Sequence, residues 1–179
     1  LNNGETYVAV ANGVLNPASF AANPEGTSTA FQILLFNGMQ ESATVPNNVD
    51  LAILHGATDA PAVDVYARGV AQLVDSAAYT NLAGYLSVPA ADYLIDLTPA
   101  AGSPILVSYD APLSGLAGGA AVVFASGFLD PSVNQNGEAF GLFAALPDGT
   151  VLALNDTSLA RLQVIHNCAD PAADSVDIY

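Results

Sequence analysis

The sequence predicts an all-β protein, an antiparallel β-sandwich built from tandem repeats of about 110 residues. Three observations support this fold class. Apolar and polar residues alternate with a period of two, turn signals separate the short segments that do so, and two stretches of the sequence recur. With 179 residues, of which 52% are hydrophobic, the chain can also bury a proper apolar core.

The alternation is clearest over residues 92–98. There Tyr93, Ile95 and Leu97 share one face and polar residues share the other, as in a half-buried strand. Further strands are predicted at 6–11, 31–36, 50–54, 63–66, 83–88, 104–109, 120–126, 139–145, 150–154 and 161–165. Only residues 72–82 look helical, over a turn or two. Because period-two patterning dominates, we expect helix in under about 10% of the unit at 51–161.

Two segments of the sequence recur at nearly the same offset. Residues 51–66 read LAILHGATDAPAVDVY and return at 162–179 as LQVIHNCADPAADSVDIY. Residues 8–17 read VAVANGVLNP and return at 122–131 as VVFASGFLDP. Both offsets are close to 110 positions, so the sequence indicates a repeat about the size of one domain.

The repeat divides the chain into three parts. We expect residues 51–161 to form one complete unit, residues 1–50 to be the closing part of a preceding unit, and residues 162–179 to be the opening strands of a following one. The two partial pieces together are shorter than a unit. We therefore expect them to be completed by adjacent repeats of the same polypeptide or by neighbouring copies of the protein.

The charge of the chain limits its partners. Acidic residues number 17, the only basic side chains apart from histidine are Arg68 and Arg161, and the formal net charge is −15. We expect no nucleic-acid binding, because neutralising several phosphates needs several Lys or Arg side chains on one face. No uncharged apolar run approaches the roughly 20 residues that cross a bilayer, so we also expect no membrane insertion. An acidic surface suits an extracellular environment rich in salt.

Three short segments resemble a known bacterial family, the domain of unknown function 4397 (DUF4397). They are HGATDAPAVDVY at 55–66, GYLSVPAADY at 84–93 and ASG at 125–127. The variant HNCADPA at 166–172 is similar to tandem copies in cell-surface proteins of Bacteroidota-like bacteria. The resemblance implies a β-sandwich, for which we expect an immunoglobulin-like or transthyretin-like arrangement, together with export and a structural or adhesive use. It supplies no catalytic residues.

His55 with Asp59, repeated as His166 with Asp170, is the most chemically suggestive pair. Acid–base catalysis would also need a nucleophile or an activated water, and a metal site would need three or four convergent ligands. Because the pair recurs once per unit, we interpret it as part of the fold, with the Asp side chain capping a loop. The repeat signature that we expect to be structural comprises His55, Asp59, Asp64, Tyr66, His166, Asp170, Asp177 and Tyr179.

Residues 130–138 are a weak calcium candidate. The oxygen-bearing side chains there are Asp130, Asn134, Asn136 and Glu138. The glycine of this segment is eighth rather than sixth, and Gly141 stands where a twelfth-position acidic ligand is required. An ordinary loop with an Asx turn is the alternative, and calcium is the one cofactor left open.

Cys168 and the tyrosines have structural interpretations of their own. Cys168 replaces Ala57 of the other copy, so we expect a buried and unreactive thiol that forms no internal disulfide. Tyrosines on the predicted strands could stack on a sugar ring of a surface glycan, but packing in a core or an interface is their commoner role. They are Tyr66, Tyr79, Tyr85, Tyr93 and Tyr109.

The sequence contains no set of nucleophile, base and orienting group, so we expect no enzyme. The function we expect is that of a structural tandem-repeat module in an extracellular bacterial surface stalk or filament, with strands shared between neighbouring units. The alternative is an adhesin-type binding module for glycan or protein ligands, which an exposed aromatic cluster or an apolar groove would favour.

Overall fold

The computed structural model describes residues 1–157, of which 48% are in strands and 4% in helix. The strands are β1 Tyr7–Asn12, β2 Gln32–Asn37, β3 Asn48–His55, β4 Val63–Ala67, β5 Ala71–Ala77, β6 Leu82–Pro89, β7 Asp92–Pro99, β8 Val107–Pro112, β9 Ala120–Ser126, β10 Gly141–Ala145, β11 Val151–Ala153 and β12 Asn155–Asp156. Two short 3-10 helices lie at Pro17–Ser19 and Pro131–Val133. The prediction of an all-β protein is confirmed. No helix of the described part is long and apolar enough to cross a membrane.

The strands form three sheets. The β3 sheet has the order β11-β10-β9-β3-β6, the β7 sheet has the order β12-β8-β7-β4-β5, and β1 pairs with β2 in an antiparallel hairpin. Strands β3 and β9 run parallel, with Leu51 opposite Ala121 and Ile53 opposite Val123. The prediction of purely antiparallel sheets was therefore wrong at this pair. Alternation shows which face of a strand is apolar, but not in which direction its neighbour runs.

The two five-stranded sheets share one apolar core. Alternate residues of each sheet point into it, as the period-two pattern requires. Buried core residues of the β3 sheet are Val49, Leu51, Ile53, Ala121, Ala125 and Leu142, and those of the β7 sheet are Val65, Ala67, Ile95, Leu97, Tyr109 and Ala111. Removing such side chains from water stabilises the fold by roughly 25 cal/mol per Å² of apolar surface.

Asp96 of β7 is buried although the alternation predicted it on the polar face. Arg68 binds its carboxylate with two hydrogen bonds, from Nε at 2.8 Å and from Nη2 at 2.6 Å. Ser108 donates a third at 2.7 Å. The hydrogen bond from Arg68 is the main reason why the pKa of Asp96 is lowered from its ordinary value. One of the two arginines therefore has a structural role.

The β1–β2 hairpin packs on the side of the β3 sheet that faces away from the core. Val8 and Phe36 of the hairpin pack against a small buried cluster of Met39, Ala52 and Val122. Alternate residues of the hairpin point the opposite way, into solvent. This solvent-facing side, which we call the outer face of the hairpin, includes Ala9, Ala11, Phe31, Ile33 and Leu35.

Two segments differ from the sequence-based prediction. The stretch at 72–82, expected to be a turn or two of helix, is mostly strand β5, which pairs with β4 through irregular register. Ser76 interrupts the alternation there with a positive φ of 51°. The strand expected at 104–109 lies at Val107–Pro112. The strand expected at 161–165 lies outside the described residues.

Candidate functional site

Asp59 lies in the loop between β3 and β4, and its carboxylate holds the loop that follows β9. One oxygen accepts a hydrogen bond from the backbone N–H of Leu129 at 2.8 Å. The other accepts from the N–H of Asp130 at 3.0 Å and from the side-chain amide of Asn134 at 2.8 Å. Asp59 caps a loop about 70 residues away in sequence rather than its own loop.

Asn134 is fully buried at the centre of this arrangement. Its amide nitrogen donates to Asp59 and to the carbonyl of Asp130. Its carbonyl oxygen accepts from the N–H of Ala21, which lies between β1 and β2. The hydrogen bonds of this side chain together connect three loops. These are the loop between β1 and β2, the loop between β3 and β4, and the loop after β9.

His55 ends β3 and is also buried. Its Nε2 lies 3.0 Å from the carbonyl oxygen of Pro61 and must donate to it, since a carbonyl only accepts. Nδ1 is buried without a partner in the described part of the chain. Burial lowers the pKa of His55 from its ordinary value of 6.5. This shift favours the neutral imidazole, which donates to Pro61, and no group of three possible metal ligands includes His55 within residues 1–157.

Asp64 and Tyr66 are placed on β4. Asp64 is buried, and its carboxylate accepts from the N–H of Ser76 at 2.8 Å, which fixes the irregular part of β5. Tyr66 is half-buried and lies two residues further along the same strand. The sequence repeats of the four signature residues His55, Asp59, Asp64 and Tyr66 lie outside the described residues. They are His166, Asp170, Asp177 and Tyr179. Cys168 also lies outside the described residues.

Two of the four calcium candidates, Asp130 and Asn134, use their side chains in hydrogen bonds within the protein. Asp130 accepts from the N–H and the hydroxyl of Ser132, at 3.0 and 2.6 Å, and Asn134 turns inward to Asp59. Asn136 contributes its N–H to the carbonyl of Pro131, and the backbone carbonyl of Glu138 accepts from Phe128. Within residues 1–157, no three His, Cys, Asp or Glu side chains are grouped where they could hold a metal ion.

The loop between β1 and β2 contacts two other loops, the loop between β3 and β4 and the loop after β9. Asn23 donates to the carbonyl of Thr58 at 3.0 Å, and Glu25 accepts from the N–H of Ala62 at 2.8 Å. Phe20 stacks on Phe128 with ring centroids 5.5 Å apart. Sequence reasoning missed these residues, because nothing in a polar loop indicates a partner that is distant in sequence.

The hairpin and the β9–β10 pair have the same local structure. Each first strand ends at a glycine with positive φ, Gly13 at 94° and Gly127 at 85°. A Cβ on either glycine would lie within 2.6 Å of a carbonyl oxygen, so a side chain does not fit. A 3-10 helix and one parallel bridge follow in both, with Val14 opposite Ala30 and Phe128 opposite Ala139.

The two pairs of strands differ in what covers them. In the β9–β10 pair, Leu142 is 5% exposed and Ala144 8%, because the β7 sheet covers them. The matching residues of the hairpin, Ile33 and Leu35, are 58% and 56% exposed. The hairpin thus presents to solvent the face that its counterpart buries in a core.

One edge of the hairpin also lacks a neighbour. Strand β9 pairs with β10 on one side and with β3 on the other. Its counterpart β1 pairs with β2, and no described strand lies along its other edge. The hairpin therefore combines an open sheet edge with an uncovered apolar face, which are the two features that strand addition uses.

A groove of about 420 Å³ runs between the hairpin and the β3 sheet. Mostly apolar side chains line it, among them Val10, Met39, Tyr85 and Val122. Of the tyrosines considered as a sugar platform, Tyr79 and Tyr109 are buried. Tyr85 accepts a hydrogen bond from the N–H of Gln40 at 3.1 Å, which leaves its ring in the groove wall.

Comparisons with known proteins agree with the location of the signature. No curated protein and no solved structure matches the chain. The family model described as domain of unknown function (DUF4397) matches residues 49–179, from the start of β3 onward and well over half of the chain. The chain therefore belongs to the DUF4397 family.

Proposed function

We propose that this protein is a structural tandem-repeat module of an extracellular bacterial surface stalk or filament, in which neighbouring β-sandwich units share strands. The outer face of the hairpin is the observation that carries the proposal. Ile33 and Leu35 are more than half exposed at positions where the second copy of the same structure has buried core residues. An exposed apolar face of this kind is typical of a surface that another sheet covers.

The contacts of the hairpin support a head-to-tail arrangement. The face that includes Val8 packs against the β3 sheet, and the loop of the hairpin is held by Thr58, Ala62 and Asn134. In this proposal, the loop between β3 and β4 and the loop after β9 fix one unit on the next. Because the contacts come from different surfaces of a unit, repeating them produces an open chain rather than a closed dimer.

The acidic surface fits an extracellular setting. A net charge of −15 makes neighbouring units repel one another, and salt screens this repulsion within about 8 Å at physiological ionic strength. We propose that a salt-rich medium outside the cell supplies that screening. The surface remains unfavourable for nucleic acids and anionic lipids.

Association of the 179-residue chain tests the proposal. In about 0.15 M salt, sedimentation velocity over a wide concentration range should show stepwise growth, and electron microscopy should show unbranched linear assemblies. The variant Leu35→Glu should reduce this growth, because it puts a charge on the outer face of the hairpin. Val70→Glu is the matched control, since Val70 is 67% exposed at a turn. A concentration-independent monomer whose hairpin amides are fully protected from exchange would contradict the proposal.

The groove beside Tyr85 favours one alternative, an adhesin-type module for glycan or protein ligands. A glycan array probed with the 179-residue chain distinguishes the two functions. Binding that Tyr85→Ala abolishes, without any change in self-association, would support the adhesin. Growth into linear assemblies with no glycan signal would support the stalk.

A further inference from the structure

We propose that the side chain of Asn37 is a site of spontaneous deamidation, in which the backbone nitrogen of Gly38 displaces ammonia and loosens the base of the β1–β2 hairpin. The chain contains four Asn–Gly pairs, at Asn3, Asn12, Asn37 and Asn136. Because the reacting pair of residues is the same each time, the fold decides how fast each one reacts. The reaction needs only water as a co-reactant and no partner protein.

The chemistry requires a backbone nitrogen to reach the side chain that precedes it. The nitrogen of Gly38 loses its proton and attacks Cγ of Asn37, so that an N–C bond forms while the Cγ–Nδ2 bond breaks. The amide group takes up the proton and leaves as ammonia. Water then opens the cyclic imide at either carbonyl, which gives an aspartate or an isoaspartate at this position. Glycine favours the attack, because it has no Cβ to obstruct it.

Hydrogen bonds hold two of the pairs away from this reaction. The side-chain amide of Asn12, which would have to leave as ammonia, donates to the hydroxyl of Tyr79 at 3.0 Å. In the pair at Asn136, the N–H of Gly137 donates to the carbonyl of Asn134 at 3.0 Å, so the attacking nitrogen is already bound. Ring closure at either pair therefore costs a native hydrogen bond.

The pair at Asn37 is free of both restraints. Asn37 is the exposed last residue of β2, and its side chain makes no hydrogen bond within residues 1–157. The N–H of Gly38 has no acceptor in the same part of the chain, and a Cβ on this glycine would meet no other atom within 4 Å. Ring closure there needs only fraying of the last residue pair of the hairpin, which is a local opening of low free energy.

The isoaspartate product alters the base of the hairpin, because it carries the main chain through Cβ and so adds a backbone atom before Gly38. Only Gly38 separates the last pair of the hairpin, Tyr7 opposite Asn37, from the N–H of Met39, which donates to the carbonyl of Thr6 at 3.1 Å. The buried side chain of Met39 belongs to the cluster on which the hairpin packs. The added atom must be absorbed between these two points, so we expect it to weaken the attachment of the hairpin.

Peptide mapping of the aged 179-residue chain tests the assignment of the site. The folded protein is incubated at neutral pH, and mass spectrometry measures the exchange of amide nitrogen for oxygen at each Asn–Gly pair. The exposed pair at Asn3 is the internal reference, since its conversion shows that the incubation is long enough. We expect Asn37 to convert at least about tenfold faster than Asn12 and Asn136 in the folded chain, and all of them to convert at similar rates in urea. Equal rates in the folded chain, or an order that persists in urea, would overturn the assignment.

Two variants separate the reaction from its effect on the hairpin. Asn37→Gln lengthens the side chain, which disfavours ring closure, and should prevent conversion at this position while Asn3 converts as before. Asn37→Asp carries the charge of the product without the added backbone atom. We expect the hairpin amides to exchange with deuterium several-fold faster in the isoaspartate form, separated by chromatography, than in fresh wild type, and at the wild-type rate in fresh Asn37→Asp. Unchanged exchange in the isoaspartate form, or equally fast exchange in Asn37→Asp, would overturn the effect of the added atom.

Discussion

Individual polar residues in this protein bind backbone groups of loops and strands that lie elsewhere in the sequence. Asp59 binds two N–H groups of a distant loop, and Asp64 binds one of β5. His55 donates to the carbonyl of Pro61. Such bonds contribute modestly when made, but a buried group left without one costs about 1–3 kcal/mol. His55, Asp59 and Asp64 thus each bind backbone groups in the described part of the chain.

Stability at mildly acidic pH should depend on His55. Burial lowers the pKa of His55 below 6.5, so the unfolded chain binds a proton there before the folded chain does. The contribution of His55 to the free energy of unfolding should therefore be highest above pH 6.5 and fall as the pH decreases from 6.5 to 5. For one proton the slope is at most about 1.4 kcal/mol per pH unit. Urea unfolding at several pH values measures it.

The variant His55→Gln isolates this contribution, because its amide can still donate to Pro61 without titrating. We expect the fall between pH 6.5 and 5 to shrink in His55→Gln. The carboxylate of Asp96 contributes below this pH range, because the hydrogen bond from Arg68 lowers its pKa from the ordinary value of an aspartate. An identical pH profile in the wild type and in His55→Gln would contradict the buried neutral imidazole.

At the scale of elements, the loops determine how the hairpins are held. The loop after β9 is held by the hydrogen bond between Asn134 and Asp59. The loop after β1 is bound to that loop through Asn134 and to the loop between β3 and β4 through Thr58. The β1–β2 and β9–β10 pairs share their glycine, 3-10 helix and bridge. Their difference in burial therefore comes from their neighbours and not from their own conformation.

The substitution Asp59→Asn should loosen the loop after β9. An amide nitrogen would replace one of the carboxylate oxygens that accept from Leu129, Asp130 and Asn134. We expect the free energy of unfolding to fall by about 2 kcal/mol. Asp148→Asn, at an exposed local turn, should cost much less. Urea unfolding gives both values, and equal losses would show that the Asp59 network does not hold the loop.

At the scale of the whole molecule, two sheets share one core and a third, smaller sheet packs behind one of them. The parallel pair of β3 and β9 lies at the centre of the β3 sheet. Around this apolar interior the chain has a net charge of −15, and in the described residues Arg68 with Asp96 forms an ion pair of two side chains. Repulsion among acidic groups therefore dominates the surface electrostatics.

The melting temperature should rise with added sodium chloride, because salt screens repulsion between carboxylates. A gain of about 1 kcal/mol corresponds to about 2–4 °C for a chain of this size. Calorimetry at low protein concentration, with sedimentation to verify the monomer, separates this effect from assembly. A lower melting temperature at about 0.15 M salt than at about 0.01 M would contradict the prediction.

The sequence alone predicted most of the strands. At 92–98 it placed Ile95 and Leu97 in the core, because side chains alternate across a strand. It misassigned 72–82, where pairing to β4 overrides a pattern interrupted at Ser76. It also identified the signature residue Asp59, but not the residues that Asp59 binds.

What the sequence by itself determined was the period of two, the recurring segments, the excess of acidic residues and the signature residues. Each of these can be read from the order of the residues or from composition, without knowing which segments are in contact. Only the tertiary structure decided that β3 runs parallel to β9, that Asp59 binds a loop about 70 positions away, and that Ile33 and Leu35 lie exposed. The physical reason is that burial and pairing are properties of segments distant in the chain. The same strand pattern can therefore be covered in one copy and open in the other.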